Sequence, residues 1–273
     1  MLQEAKDFRA ESESLAALFD NLVVDHYSIA TQFKGWTIED VIGHLHIWNY
    51  AAGLTLQSTE KFQKFFGYVM TAMGGGLSHI QMQKKWFDEN KNGLSGKALV
   101  NEWHEYSLIL ADEYLIADPA RRVAWAGPDM TTQSKMVARQ METWAHGQEI
   151  FDILGMDRVN QDRIRNICDL GVRTYGWTFR NRGIEPPTPK PFVQLTAPSG
   201  VIWEWNDPQS DNMISGRAEE FAQIVTQTRN IADTKIEPIG AVSNQWMQIA
   251  QCFAGGPETP PTKGLRQKSI DPL

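Results

Sequence analysis

The spacing of hydrophobic positions changes at about residue 183. Before that point apolar residues recur with a period of about 3.6, as in Val41, Leu45 and Trp48, which is typical of amphipathic helices. Beyond it apolar and polar residues alternate in the segments 192–196 and 201–205, which is the pattern of a β-hairpin. The sequence therefore predicts a mainly α protein, with a helical bundle followed by a small α+β domain.

A proline-rich segment over residues 183–191 separates the two patterns, and it reads as a stiff linker that cannot be helical. We predict a bundle over residues 1–183, an α+β domain over 192–256 and a frayed tail over 257–273, where glycine, proline and charged residues prevail. The first predicted helix lies around residues 15–22. The others cover approximately 37–52, 60–73, 78–89, 97–116, 132–154, 160–181, 218–229 and 241–253.

Composition excludes several classes of protein. The 273 residues carry 26 basic and 33 acidic side chains, a net charge of −7, which argues against nonspecific binding to nucleic acid or to an anionic membrane. Two cysteines are too few for a disulfide scaffold or a cysteine-based zinc cluster. Without an apolar run of about 18 residues or a signal-peptide pattern, we expect a cytoplasmic protein.

Helical geometry sorts two neighbouring histidines on the second predicted helix. His44 falls about 60° from Val41 and about 40° from Trp48, so it should point into the bundle with the apolar stripe. His46 lies about 160° from that stripe, and we expect it to face outward.

A second histidine site lies on the predicted helix 132–154, which is apolar almost all round. Glu142 and His146 are four residues apart, so they stack on one helix face. A carboxylate in a buried helix is costly unless it is paired or binds a metal ion. With His44 as a third ligand, the set would suit a divalent metal, with zinc favoured and nickel or iron(II) also fitting.

Other interpretations stay open at this point. Glu142 and His146 also have the spacing of an ordinary helix-stabilising pair. His44 can be a core histidine that is hydrogen-bonded to a carbonyl group. If the metal site exists, Asp40 and Glu149 lie one helical turn from His44 and His146, where each can accept a hydrogen bond from an imidazole N–H.

Two segments resemble a known family. Residues 36–45, Trp-Thr-Ile-Glu-Asp-Val-Ile-Gly-His-Leu, resemble a signature of the DinB/YfiT-like metal-dependent bundles, and more closely of the mycothiol-dependent maleylpyruvate isomerase group. Residues 138–149 resemble that group's helix with a Glu-x-x-x-His pattern. The resemblance implies a DinB-like bundle whose metal ligands are His44, Glu142 and His146. It also implies a homodimer as an expected assembly, since bundles of this group often pair.

The same resemblance implies a function. It predicts a thiol-dependent isomerase or S-transferase in which the metal activates a low-molecular-weight thiol as cosubstrate toward a small-molecule substrate. A C-terminal arginine aids catalysis in the group, and Arg229 and then Arg217 are the candidates here. Two alternatives are a non-catalytic metal-bearing module that binds a ligand, and an RNA-modifying protein, since residues 192–256 resemble a subgroup linked to a wyosine-base-formation domain.

Overall fold

The structure is a computed structural model of the chain, and it describes residues 1–269. Its contacts divide the chain into two compact units, residues 1–147 and the residues from 148 onward. The first is a helical bundle and the second combines helices with a small sheet, so the predicted fold class is confirmed. The division falls inside a helix, whereas the sequence analysis placed the boundary in the proline-rich segment.

The first unit is built from long helices. These are α1 (Gln3–Ala16), α2 (Ile38–Gln57), α3 (Thr59–Gly74), α4 (His79–Lys91), α5 (Gly96–Leu115) and α6 (Thr132–Ile153), which continues past the boundary between the units. Helix α5 packs against both α1 and α2, while α2 also contacts α3 and α4. A two-residue antiparallel pair, β1 (Arg122–Val123) and β2 (Met130–Thr131), precedes α6, and the sequence did not predict it.

The start of α2 is set by a reciprocal cap. The hydroxyl of Thr37 accepts a hydrogen bond from the backbone N–H of Asp40, and the carboxylate of Asp40 accepts one from the N–H of Thr37, each over 3.0 Å. Two N–H groups that a helix start leaves without partners are thereby satisfied. The cap fixes the first turn of the helix that carries His44.

Removing this cap should destabilise the first unit. We expect Thr37→Ala to lower the free energy of unfolding by about 0.5–2 kcal/mol, the usual cost of losing an N-cap side chain. Urea-induced unfolding measures the effect. Thr59→Ala, at the exposed first position of α3, is the matched control and should cause no loss. Equal stability of the two variants would contradict the capping role.

The second unit contains a four-stranded sheet and short helices. Its elements are α7 (Arg165–Arg173), α8 (Tyr175–Arg180), β3 (Phe192–Thr196), β4 (Ile202–Trp205), β5 (Met213–Arg217), α9 (Ala218–Val225), β6 (Glu237–Ile239) and α10 (Ala241–Ile249). The strand order is β4-β3-β5-β6, with β3 and β5 parallel and the other pairs antiparallel.

The predicted hairpin is confirmed, since Val193 pairs with Trp205 and Thr196 with Ile202. The helix predicted over 160–181 is instead interrupted at Thr174, which lies between α7 and α8, and both helices belong to the second unit. Strand β6 was not predicted, because it is only three residues long and Pro238 removes one backbone donor from its middle.

The C-terminal segment was expected to be frayed from residue 257, but the structure holds it down as far as residue 269. Arg266 is buried and donates to the carbonyl of Gln227, and the backbone N–H of Ser269 donates to the carbonyl of Asp152. Residues 270–273 of the predicted tail lie outside the described residues. Among the residues that are described, no helix combines the length and the apolar character needed to cross a membrane.

Candidate metal centre

Three side chains from two helices meet inside the first unit. His44 comes from α2, and Glu142 and His146 come from successive turns of α6. One ligand atom from each lies within 4.8 Å of the other two. Oε2 of Glu142 is 3.2 Å from Nε2 of His44 and 3.4 Å from Nε2 of His146. The structure therefore brings together the three residues that the sequence analysis singled out.

The three side chains are mostly shielded from water but are not sealed. The two imidazoles are each 12% exposed, and the side chain of Glu142 is 26% exposed. The site is thus largely buried but remains partly exposed to solvent. Phe33 and Trp36 line one side of the site, and their ring centroids lie 5.1 and 5.8 Å from that of His146.

The charges of the site favour a cation. Burial, followed by the positive charge that His146 would carry, lowers the pKa of His44 to about 3, so this imidazole is neutral near pH 7. Burial by itself would raise the pKa of Glu142, but its hydrogen-bonding contacts with His146 and His44 outweigh burial and hold that pKa well below its ordinary value. A carboxylate beside a neutral imidazole is the protonation state that a metal ion requires.

The donor set fits a divalent metal ion. Two imidazoles and one carboxylate are ligands found in zinc, nickel and iron(II) sites, and three protein ligands leave a position for water or substrate. Two atoms bound tetrahedrally to one zinc ion lie about 3.3 Å apart. The distances of 3.2 and 3.4 Å agree with that separation, although a hydrogen bond would also have this length.

One residue of this cluster, His79, was not predicted from the sequence. It is the first residue of α4, and its Nε2 lies 3.0 Å from Nδ1 of His44. No motif marked it, because it belongs to a helix start that reaches the site only through the packing of α4 against α2. The position next to His44 that we predicted for Asp40 is therefore filled by His79.

The structure gives Asp40 and Glu149 other contacts. Asp40 caps α2, and its carboxylate is 3.1 Å from Nζ of Lys84. Glu149 is buried within the second unit, and its nearest cation is Arg266 at 3.6 Å. Neither carboxylate oxygen of Glu149 has a hydrogen-bond partner among the described residues. Burial raises the pKa of Glu149 to about 7.

The outward orientation expected for His46 is wrong. Its side chain is 1% exposed and lies between the rings of Phe87 on α4 and Tyr106 on α5. Helix α2 is covered on several sides, so the face opposite its apolar stripe is also buried.

Both arginines predicted to aid catalysis lie in the second unit. Arg229 donates two hydrogen bonds, of 2.7 and 2.6 Å, to the buried carboxylate of Asp152. Arg217 is 69% exposed and pairs with Glu219. The catalytic roles of both arginines stay predictions.

Comparison with known proteins identifies the family. Residues 8–151 match the family described as the mycothiol maleylpyruvate isomerase N-terminal domain. Two proteins of Mycobacterium tuberculosis, "Uncharacterized protein MT0041" of strain CDC 1551 / Oshkosh and "Uncharacterized protein Rv0036c" of strain ATCC 25618 / H37Rv, are each 35% identical over 254 residues. Those residues span 92% of this chain and 95% of each relative.

Two solved structures are also similar. They are crystal structures of the mycothiol-dependent maleylpyruvate isomerase and of a mutant of it, each 15% identical to this chain. The matches cover 81% of this chain and 87% of theirs, with TM-scores of 0.48 and 0.47. On its sequence match over more than half its length, the chain belongs to the mycothiol maleylpyruvate isomerase N-terminal domain family.

Proposed function

We propose that this protein is a metal-dependent enzyme that uses a low-molecular-weight thiol as cosubstrate, in an isomerase or S-transferase reaction of the maleylpyruvate isomerase type. The observation that carries the proposal is the approach of His44, Glu142 and His146 to within 4.8 Å of one another. Family membership supports the thiol and the small-molecule substrate. Zinc is the metal that we favour for this ligand set.

The three side chains would hold the cation, with Glu142 supplying a negative charge and the two imidazoles supplying neutral nitrogen donors. When bound, a divalent metal lowers the pKa of a coordinated thiol, so that the nucleophilic thiolate is available near neutral pH. The aromatic rings of Phe33 and Trp36 restrict water on one side of the site. The partial exposure of Glu142 leaves a route by which a thiol can enter.

In the isomerase case the thiolate forms a C–S bond to one carbon of the cis double bond, and the electron pair moves onto the neighbouring carbonyl as an enolate. Rotation about the resulting single bond is then free. Collapse of the enolate expels the thiolate and restores the double bond in the trans form, so the thiol is not consumed. Pairing of a substrate carboxylate with Arg217 or Arg229 remains part of this proposal.

Metal analysis and turnover test the proposal together. Purified protein should contain one divalent metal ion per chain and should convert maleylpyruvate to its trans isomer only when mycothiol, bacillithiol or glutathione is added. Full metal occupancy without thiol-dependent turnover would contradict the chemistry and favour a metal-bearing binding module. Absence of bound metal after incubation with zinc would contradict the site itself.

A further inference from the structure

We propose that His79 is a positioning residue that fixes the tautomer of His44. Nε2 of His79 accepts a hydrogen bond from the Nδ1–H of His44, and the lone pair on Nε2 of His44 is thereby left for the metal ion. The inference rests on the proposed metal site and adds to it a residue outside the ligand set. Its basis is a chain of side-chain contacts that runs from Trp48 through His79 to His44.

The first link is the contact between the two imidazoles. Nε2 of His44 faces Glu142, so it is the nitrogen that would bind a metal ion, and a neutral imidazole bound in this way carries its proton on Nδ1. That N–H needs an acceptor that holds the ring in place. Nε2 of His79, at 3.0 Å, is the atom that meets it.

The second link decides the direction of the hydrogen bond. The indole Nε1 of Trp48 lies 3.5 Å from the same Nε2 of His79. An indole N–H can only donate, so Nε2 of His79 is an acceptor and the proton of that ring lies on Nδ1. If His79 instead donated to His44 through Nε2–H, that N–H and the indole N–H of Trp48 would point at each other.

Aromatic packing holds the orientation of His79. The rings of Trp36 and Trp48 lie within 6° and 11° of the plane of His79, at centroid distances of 5.6 and 6.2 Å. Stacking of Trp36 restricts rotation of the imidazole and keeps Nε2 aimed at His44, whereas Trp48, whose N–H points at Nε2, lies edge to edge with the ring. Asp40 does not compete for the role, because Thr37 and Lys84 engage its carboxylate.

Two substitutions at position 79 separate this role from a general structural one. His79→Leu removes the acceptor, and we expect the affinity for zinc to fall by about 10–100-fold, as is usual when the hydrogen-bond partner of a metal-bound histidine is lost. His79→Gln can place an amide oxygen near the position of the ring nitrogen, and it should keep an affinity close to that of the wild type. Competition with a chromophoric chelator measures both affinities, and the visible spectrum of the cobalt-loaded proteins reports the ligand geometry.

Controls keep the outcomes distinct. His26→Leu, at a histidine in a separate short helix of the first unit, should leave zinc binding unchanged. Trp48→Phe removes the donor to His79 but leaves the imidazole, and it should weaken zinc binding by a smaller factor; it replaces His79→Leu if that variant does not fold. Equal affinity of His79→Leu and wild type would overturn the inference, as would an equal loss in His79→Leu and His79→Gln. Failure of the wild type to bind zinc would instead overturn the proposed metal site.

Discussion

A Glu142→Gln variant should bind zinc at least about 100-fold more weakly than the wild type, more than the loss expected from a residue outside the ligand set. The amide has nearly the same shape as the carboxylate, but it removes the only negative charge among the three side chains that meet here. The two imidazoles alone would then have to stabilise a divalent cation in a partly buried site. Equilibrium competition with a chelator, together with the metal content of the purified protein, measures the change.

Glu105→Gln provides the matched control, because Glu105 is an exposed glutamate on α5 of the same unit. It should leave metal content and affinity at wild-type values. A Glu142→Gln protein that retained full metal content and wild-type affinity would show that the carboxylate is not a ligand.

The second prediction with a large expected effect concerns a buried lysine on α6, the helix that also carries Glu142. Lys135 is 0% exposed, its Nζ has no hydrogen-bond partner among the described residues, and it lies 3.1 Å from the centroid of the Trp125 ring. Burial, followed by the nearby charge of Arg139, lowers the pKa of Lys135 to about 6. The folded protein therefore holds this amine largely neutral at pH 7 and above.

Replacement of this lysine by methionine should stabilise the protein and change how its stability depends on pH. Between pH 6 and 10 the unfolded chain binds a proton at Lys135 that the folded chain does not, so the wild type gains stability as the pH rises. Relative to Lys135→Met, the free energy of unfolding of the wild type should rise by about 1.4 kcal/mol per pH unit from pH 7 to 9. At pH 7 the variant should be more stable by about 4 kcal/mol, since about 1.4 kcal/mol is lost for each of the roughly three pH units between pH 7 and the ordinary pKa of lysine.

Urea-induced unfolding of both proteins at pH 7, 8 and 9 checks this prediction. Lys64→Met, at an exposed lysine on α3, is the matched control and should change neither the stability nor its pH dependence relative to the wild type. A difference between wild type and Lys135→Met that stayed constant over this range would mean that Lys135 is charged in the folded protein.

Much of the secondary structure could be predicted because it depends on local interactions. The cap at Thr37 and the spacing of apolar residues along α2 are contained in a few neighbouring residues. The hairpin of β3 and β4 follows from two alternating segments joined by a turn. Strand β6 could not be predicted, because it depends on long-range pairing with β5 and its three residues are too few to show an alternating pattern.

For the candidate site, helix geometry alone placed Glu142 and His146 on one face of α6. The approach of His44 was implied by a resemblance of two segments, since no local pattern relates α2 to α6. The role of His79 could not be predicted, because it depends on the contact of its Nε2 with Nδ1 of His44. That contact arises only when α4 packs against α2.

The sequence by itself determined where helices α2 to α6 and the hairpin form and which glutamate and histidine share a helical turn, because these properties depend on residues a few positions apart. It misplaced the first helix, which was predicted around residues 15–22 and spans Gln3–Ala16. Only the tertiary structure decided that His46 is buried, that Lys84 lies beside the carboxylate of Asp40, and that the segment up to residue 269 is held in place. Each of these outcomes depends on which distant element covers a given face. That choice is made by packing between helices and not by the period of the residues along them.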